Sequence, residues 1–358
     1  MTYFDNLLWD GQQLTVGSKP GKRRDFSNFD KYHTFLQSSL RALADNMTSP
    51  ARRFPYEFLS TASSGYDSTT VTVLAKQAGC TKVLCVDQAR QGESDSGVPL
   101  TEFLGMTPIS VSREAWRSLR FPELPFIAAD SHGGDVFFKG AESALKGKVL
   151  LTGYHGDKMW EKVVHHDEHI VRGDQSGLSL TEYRLGIGMI HCPLTFWGVR
   201  QIADLNAISL SPEMAPWDVP GDYSRPICRR IVEGAGVPRE MFGNKKKASW
   251  VTMIRNKGFL SEPSMEHYLE WLKANRAQWF RRGRIPPLRS RRADHLGLSW
   301  RQRLAASADG QVGWKLQALK KSGVRRVLGW VCETPPRLRR HIFPWAVEQQ
   351  QKMYSRPF

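Results

Sequence analysis

The sequence predicts an α/β protein: a doubly wound, mainly parallel sheet followed by a C-terminal helical, basic lobe. Three observations carry this. Strand-like and helix-like runs alternate from Tyr56 to Gly153, as in parallel sheets whose crossovers are helices. Several helix-like runs close on glycine, at Gly79, Gly105 and Gly147. Beyond Gly156 only helical patterns are read, and the balance of charge turns strongly positive.

Each element has a local reason. Leu7–Val16 alternates around "DGQ" and reads as a hairpin. "FDKYHTFLQSSLRALADN" (29–46) spaces apolar residues as a helix does. "YEFLSTA", "KVLCVDQ", "TPISVS" and "KVLLTG" read as strands; "DSTTVTVLAKQAG", "SDSGVPLTEFLG" and "DVFFKGAESALKG" read as the helices between them. "SGLSLTEYRLGIGM", "TFWGVRQIADLNAIS", "SRPICRRIVEGAG" and "SMEHYLEWLKANRAQW" extend the helical lobe. The last 80 or so residues, basic with scattered Trp and Pro, show no element. The expected organisation is an extension over 1–50, a nucleotide-type α/β domain over 51–160, a helical part over 161–260 and a basic extension over 261–358.

Composition narrows the class. At 358 residues the chain can bury a sizeable core. It has no stretch approaching the roughly 18 apolar residues of a membrane span, and its acidic N-terminus does not read as a signal peptide. Its five cysteines (Cys80, Cys85, Cys192, Cys228, Cys332) form no C-x-x-C pair, which points to a reducing compartment, by default the cytoplasm. From Gly221 onward there are 29 Lys+Arg against 10 Asp+Glu, whereas the first 220 residues carry a net −3. Such asymmetry suits an anionic partner, and equally a solvated basic face.

The stretch "STASSGYDSTT" lies where a strand feeds a helix, the place where open parallel sheets bind ligands. Small residues let backbone approach a ligand, and helix-initial N–H groups favour an anion. Ser63 and Ser68 add hydroxyls. Asp67 beside a phosphate requires a bridging cation, and Mg²⁺ takes carboxylate and phosphate oxygens together. An ordinary helix cap at Asp67 or Ser68 is the plain alternative. Ninety residues beyond Asp67, "VLLTGYHGDKMWEK" again carries a carboxylate, Asp157, from a strand end into a helix.

The first stretch resembles the pyrophosphate-binding loop S-G-G-x-D-S of the ATP pyrophosphatase (PP-loop) superfamily. Ser63, Gly65, Asp67 and Ser68 match, and Ser64 replaces the first glycine. The second resembles the "SGxGxDExxxGY" element of the asparagine synthetase C-terminal domain. There Gly153, Gly156 and Asp157 match, and Lys158 replaces an acidic residue. "VLCVDQ" resembles the strand whose backbone, around Leu84 to Val86, reads adenine. "EYRLGIGMIHCPLTFWGVRQIADLN" resembles the family's Arg-containing helix and Pro-Phe-Leu-Asp segment, with Pro193 retained and the Asp absent. "SRPICRRIVEGAGVPREMFGNKKKAS" resembles the K-x-x-L-R … P-x-x-[IV]-x-x-R-x-K element, which puts Arg229 at the helix arginine and Lys246, with Lys245 and Lys247 beside it, at the catalytic lysine.

The resemblance, over Phe54 to Trp250, implies an adenine nucleotide alpha-hydrolase-like fold and an AMP- and pyrophosphate-forming ligase that uses ATP and Mg²⁺. Ser63, Ser64, Gly65 and Ser68 would cradle pyrophosphate, and Asp67 and Asp157 would hold the metal. Residue 2 is Thr2 and about 50 residues precede the loop, so no glutaminase domain is expected there. The nitrogen donor would be ammonia, a separate glutaminase, or an amine on the substrate. The rival expectation is a PP-loop enzyme acting on tRNA, or an RNA-binding protein, with Trp271, Trp279, Trp300, Trp314 and Trp330 stacking on bases. "HHDEH" (165–169) reads as a solvated loop rather than a metal site, and His155 stands where it could touch a phosphate.

Overall fold

Alternation along the central strands decides the architecture. The computed structural model describes residues 5–18, 23–88, 94–162, 177–221, 223–244, 260–281 and 341–354. Five strands, β3 (Glu57–Ala62), β4 (Lys82–Val86), β5 (Thr107–Val111), β6 (Lys148–Thr152) and β7 (Ile190–Pro193), form an all-parallel sheet in the order β5-β4-β3-β6-β7. Phe58, Ala62, Val83, Cys85, Val149 and Leu151 belong to one apolar layer; Leu59, Leu84, Val86 and Leu150 belong to another. That period of two buries both faces of the strands, as parallel sheets require.

The first layer is covered by α1 (Phe29–Met47), α2 (Tyr66–Gln77), α3 (Val98–Phe103), α8 (Ile202–Leu210) and α9 (Pro226–Gly234). In α1 the Asn28 side chain accepts from the Lys31 N–H at 3.0 Å, a cap that starts the helix. Its buried Phe29, Tyr32, Leu36 and Leu40 recur at helical spacing. α2 is buried from Ser68 to Ala75, so it is an internal helix between the sheet and α9. The second layer takes α4 (Leu124–Asp130), α5 (Glu142–Leu145), α7 (Leu180–Ile187), α10 (Glu262–Arg281) and α11 (Ile342–Tyr354). Spans expected as 1–50, 51–160 and 161–260 all contribute to the first layer.

Three expectations change. The chain beyond Gly156 is not wholly helical: β7, "IHCP", adds an edge strand beside β6, with Thr152 paired to Pro193. Four residues, one of them His191, are too few to show a strand pattern. Second, α11 supplies an element in the C-terminal region, and Trp345 and Ala346 are fully buried in the second layer. Third, Trp271 is a core residue whose Nε1 donates to Glu348 at 2.8 Å, so it does not offer a ring to a base. Trp300, Trp314 and Trp330, the side chain of Trp279, and the histidines of 165–169 lie outside the described residues.

Buried polar groups fasten the second layer. Glu123 sits at the start of α10, accepting from the Ser261 N–H and from Ser264 Oγ, which satisfies a helix-initial donor. Burial raises its carboxyl pKa. Trp345 Nε1 meets His267 Nδ1 at 3.0 Å. At the other end of the chain, β1 (Asp5–Trp9) and β2 (Leu14–Ser18) pair antiparallel as the expected hairpin, its turn fixed by Asp10 accepting from the Gln12 and Gln13 N–H groups. Among the described residues, no helix is long and apolar enough to cross a membrane. Replacing Trp345 with alanine is expected to cost about 3–5 kcal/mol in denaturant unfolding; a loss below about 1 kcal/mol would show that α11 is not part of the core.

Candidate functional site at the switch point of the sheet

From β3 the chain crosses through α2 to β4 on one side, while β6 lies on the other side of β3. The crossovers diverge there, leaving a crevice beyond the carboxyl ends of β3 and β6. Two loops meet in it: residues 63–65, between β3 and α2, and residues 153–155, between β6 and α6 (Gly156–Met159).

The first loop turns consecutive N–H groups toward side-chain oxygens. Ser63 N–H donates to Ser68 Oγ at 3.1 Å, Ser64 N–H to Asp95 Oδ1 at 3.2 Å, and Gly65 N–H to Ser63 Oγ at 3.2 Å. The ring of the next residue, Tyr66, packs on that of Tyr223, with centroids 4.9 Å apart. Ser63 and Ser68 hydroxyls also bond each other at 2.7 Å. Gly65 is the N-cap of α2 and supplies no side-chain cap. The plain reading of Asp67 or Ser68 as the cap residue therefore does not hold: both lie within the helix. Backbone N–H groups in a row at a helix start are the kind of donor set that anions bind.

Asp67 is where the two loops touch. A Cβ on Gly153 would come within 2.5 Å of the Asp67 carbonyl carbon, and one on Gly156 would overlap the Asp67 carboxyl. Only glycine admits this approach. The residue after Gly156 is Asp157, half-buried in the first turn of α6, so the second carboxylate sits one residue from the backbone that Asp67 presses on. His155 reaches this turn in the left-handed region, φ 70°, and its ring stacks on Phe196 at 5.0 Å. Leu84 and Val86 are buried in β4, and Val86 runs one residue past the β3–β4 pairing. Gly97 packs against the end of β3, where a Cβ would lie 2.5 Å from the Ala62 carbonyl carbon.

α9 and the turn after it close over the first loop. Arg225, 4% exposed, forms an ion pair with Asp67 Oδ1. Burial works against its charge, yet the Asp67 carboxylate outweighs this and holds the guanidinium above its usual pKa. Arg229, expected among the catalytic residues as the helix arginine, donates to the Tyr66 hydroxyl and to Glu233, with its guanidinium 5.3 Å from the centroids of both the Tyr66 and Phe242 rings. Gly243 N–H donates to the Ser64 carbonyl at 2.8 Å, and a Cβ there would overlap the Tyr66 ring. Lys245, Lys246 and Lys247 follow and lie outside the described residues.

Arg225, Tyr223 and Asp95 were not among the expected site residues. A signal existed for the first, because the leading lysine of K-x-x-L-R falls on Arg225 when its arginine falls on Arg229. Asp95 lies in "GESDSG", and only the folded chain brings it to Ser64. Among the described residues, no group of three or more His, Cys, Asp or Glu is placed to hold a metal.

Under the second loop lies a buried polar knot. Asp135 accepts from Tyr154 Oη (2.9 Å), Ser179 Oγ (2.5 Å) and Gly177 N–H (3.1 Å), and burial pushes its carboxyl up to about 7 against those donors. Thr152 Oγ1 lies 2.8 Å from His191 Nε2, and burial pushes that imidazole down to about 3. No model of a known protein family matches the chain, and no curated protein is significantly similar to it.

Two outcomes follow. A raised carboxyl pKa binds the proton more tightly in the folded chain, so Asp135 contributes stability that is complete below its unfolded value and is lost as pH rises through about 7. Unfolding free energies of wild type minus Asp135→Asn should therefore fall between pH 5 and 8 with a slope approaching about 1.4 kcal/mol per pH unit; a flat difference would mean that Asp135 is ionised throughout. Separately, Gly156→Ala should destabilise, and in a cycle with Asp67→Gly the two changes should couple by about 1–2 kcal/mol. Strict additivity would place the Asp67 side chain away from the second loop.

Proposed function

We propose that the protein is an AMP- and pyrophosphate-forming ligase that binds ATP with Mg²⁺ at the switch point, adenylates a carboxylate and passes the acyl group to ammonia or an amine. The observation that carries this reading is the Asp67 carboxyl lying against Gly156, one residue from Asp157, beside a loop whose N–H groups converge on oxygens. It agrees with the resemblance to the PP-loop superfamily and the asparagine synthetase synthetase domain.

Two carboxylates without a third protein ligand suit Mg²⁺, which takes its remaining ligands from phosphate and water. Asp67 and Asp157 would hold that ion, and when bound it would neutralise the charge developing on pyrophosphate. In the reaction a carboxylate oxygen bonds the α-phosphorus as the α–β P–O bond breaks and pyrophosphate leaves. The amine then bonds the acyl carbon, AMP leaves, and the nitrogen loses a proton. Ser63, Ser64, Gly65 and Ser68 would bind the leaving group through N–H and hydroxyl donors, an electrostatic contribution that needs no covalent step. Arg225 brings a fixed positive charge into the same crevice. The backbone around Leu84 to Val86 and at Gly153 would receive the adenosine. Gly243 is bonded to Ser64, and Lys245 comes two residues later, about 7 Å at full extension. Lys246 or Lys247 would be the group that meets the acyl-adenylate, and Arg229 braces Tyr66 at the start of α2. The nucleic-acid alternative keeps the basic charge but loses Trp271 as a stacking platform.

Incubation with ATP, Mg²⁺, a panel of carboxylic acids and ammonium or amines should yield AMP and pyrophosphate; ADP and phosphate as the nucleotide products would overturn the reading. Asp67→Ala and Asp157→Ala should each lower turnover by about 100-fold or more with the fold intact by circular dichroism. Near wild-type rates in either would remove the shared-ion idea.

A further inference from the structure

Ser64 stands where the resembled loop has its first glycine, and the structure gives that hydroxyl a partner. Its Oγ and its N–H both donate to Oδ1 of Asp95, a carboxylate only 3% exposed. The other side-chain oxygens accepting from the loop N–H groups, those of Ser63 and Ser68, belong to neutral hydroxyls. A hydroxyl can turn to donate to an incoming phosphate; a carboxylate cannot. Asp95 therefore holds the loop as an anion would, on donors of the kind that anions bind. Gly97, two residues on, is wedged against the end of β3, so the segment carrying Asp95 is seated at the site rather than passing over it.

We propose that Asp95 is a resident stand-in for phosphate: it occupies the Ser64 donors in the ligand-free chain, must be displaced when a polyphosphate enters, and so sets the threshold affinity of the loop. This rests on the nucleotide reading above and adds a residue that opposes binding. Ser64 is the enabling half of the pair, since glycine would offer the N–H alone. The cost of displacement falls on the phosphate end of the ligand and leaves the nucleoside end untouched.

Binding of inorganic pyrophosphate, ATP and adenosine to the full chain, measured by calorimetry with Mg²⁺ present, tests this. Asp95→Asn keeps the shape and the acceptor oxygen but removes the charge. It should tighten pyrophosphate and ATP by about tenfold while leaving adenosine unchanged. Asp95→Ala, which removes the carboxylate altogether and leaves every loop donor in place, should move pyrophosphate the same way, and it covers the case in which Asp95→Asn does not fold. Unchanged or weakened pyrophosphate binding in the variants, with wild type binding normally, would overturn the role of Asp95 and leave the nucleotide reading standing. Equal tightening of adenosine would also overturn it, as a general loosening of the site. Failure of wild type to bind either pyrophosphate or ATP would overturn both.

Discussion

The close approach of Asp67 to two glycines is the constraint on which the rest of the site depends. Gly153 and Gly156 have no side chains, so the turn after β6 can settle directly onto the first turn of α2. That contact fixes how far apart the two strand-end loops stand. It also presents the Asp67 carboxyl to Arg225, which ties α9 to the same point. Ser64 accepts from Gly243 and Tyr66 lies among Tyr223, Phe242 and Arg229, so the helical part of the chain is fastened to the loop by both polar and aromatic contacts. A single methyl group on Gly156 would disturb all of them together.

The electrostatics of this crevice is balanced rather than uniformly positive. Asp67 is matched by Arg225 and Asp95 by Ser64, while Asp157 joins no ion pair among the described residues. A basic protein thus keeps three carboxylates near the first loop, two of them with partners of different kinds. Burial makes such pairings consequential: removing one partner strands a charge that water cannot reach.

Much of the sheet was legible because strands buried on both faces leave continuous apolar runs, as in "KVLCV" and "KVLL". The loop and the second turn were legible because a close approach of backbone to a neighbouring side chain needs glycine at fixed places. β7 was hidden by its brevity and its histidine. α11 was hidden by Pro344, which lies in the first turn, where its missing N–H costs nothing. The contacts of Arg225 and Asp95 were not legible, although a motif position pointed to Arg225, because each works on a residue far away in sequence, 158 positions for Arg225 and 31 for Asp95. Charge pattern alone assigns such residues to the surface; only packing assigns them to the crevice.

The seam between α11 and α4 has a consequence for how the chain acquires its structure. Trp345 and Ala346 seal the layer that lies over Leu59, Leu84 and Leu150. During synthesis those strand residues emerge hundreds of positions earlier than their cover. α4, α5 and α7 can settle on that side of the sheet early, but the place beside α4 that Trp345 and Ala346 fill stays open until residues 342–346 are made. Such a delay leaves the apolar surface of that seam open to association while the chain is being made.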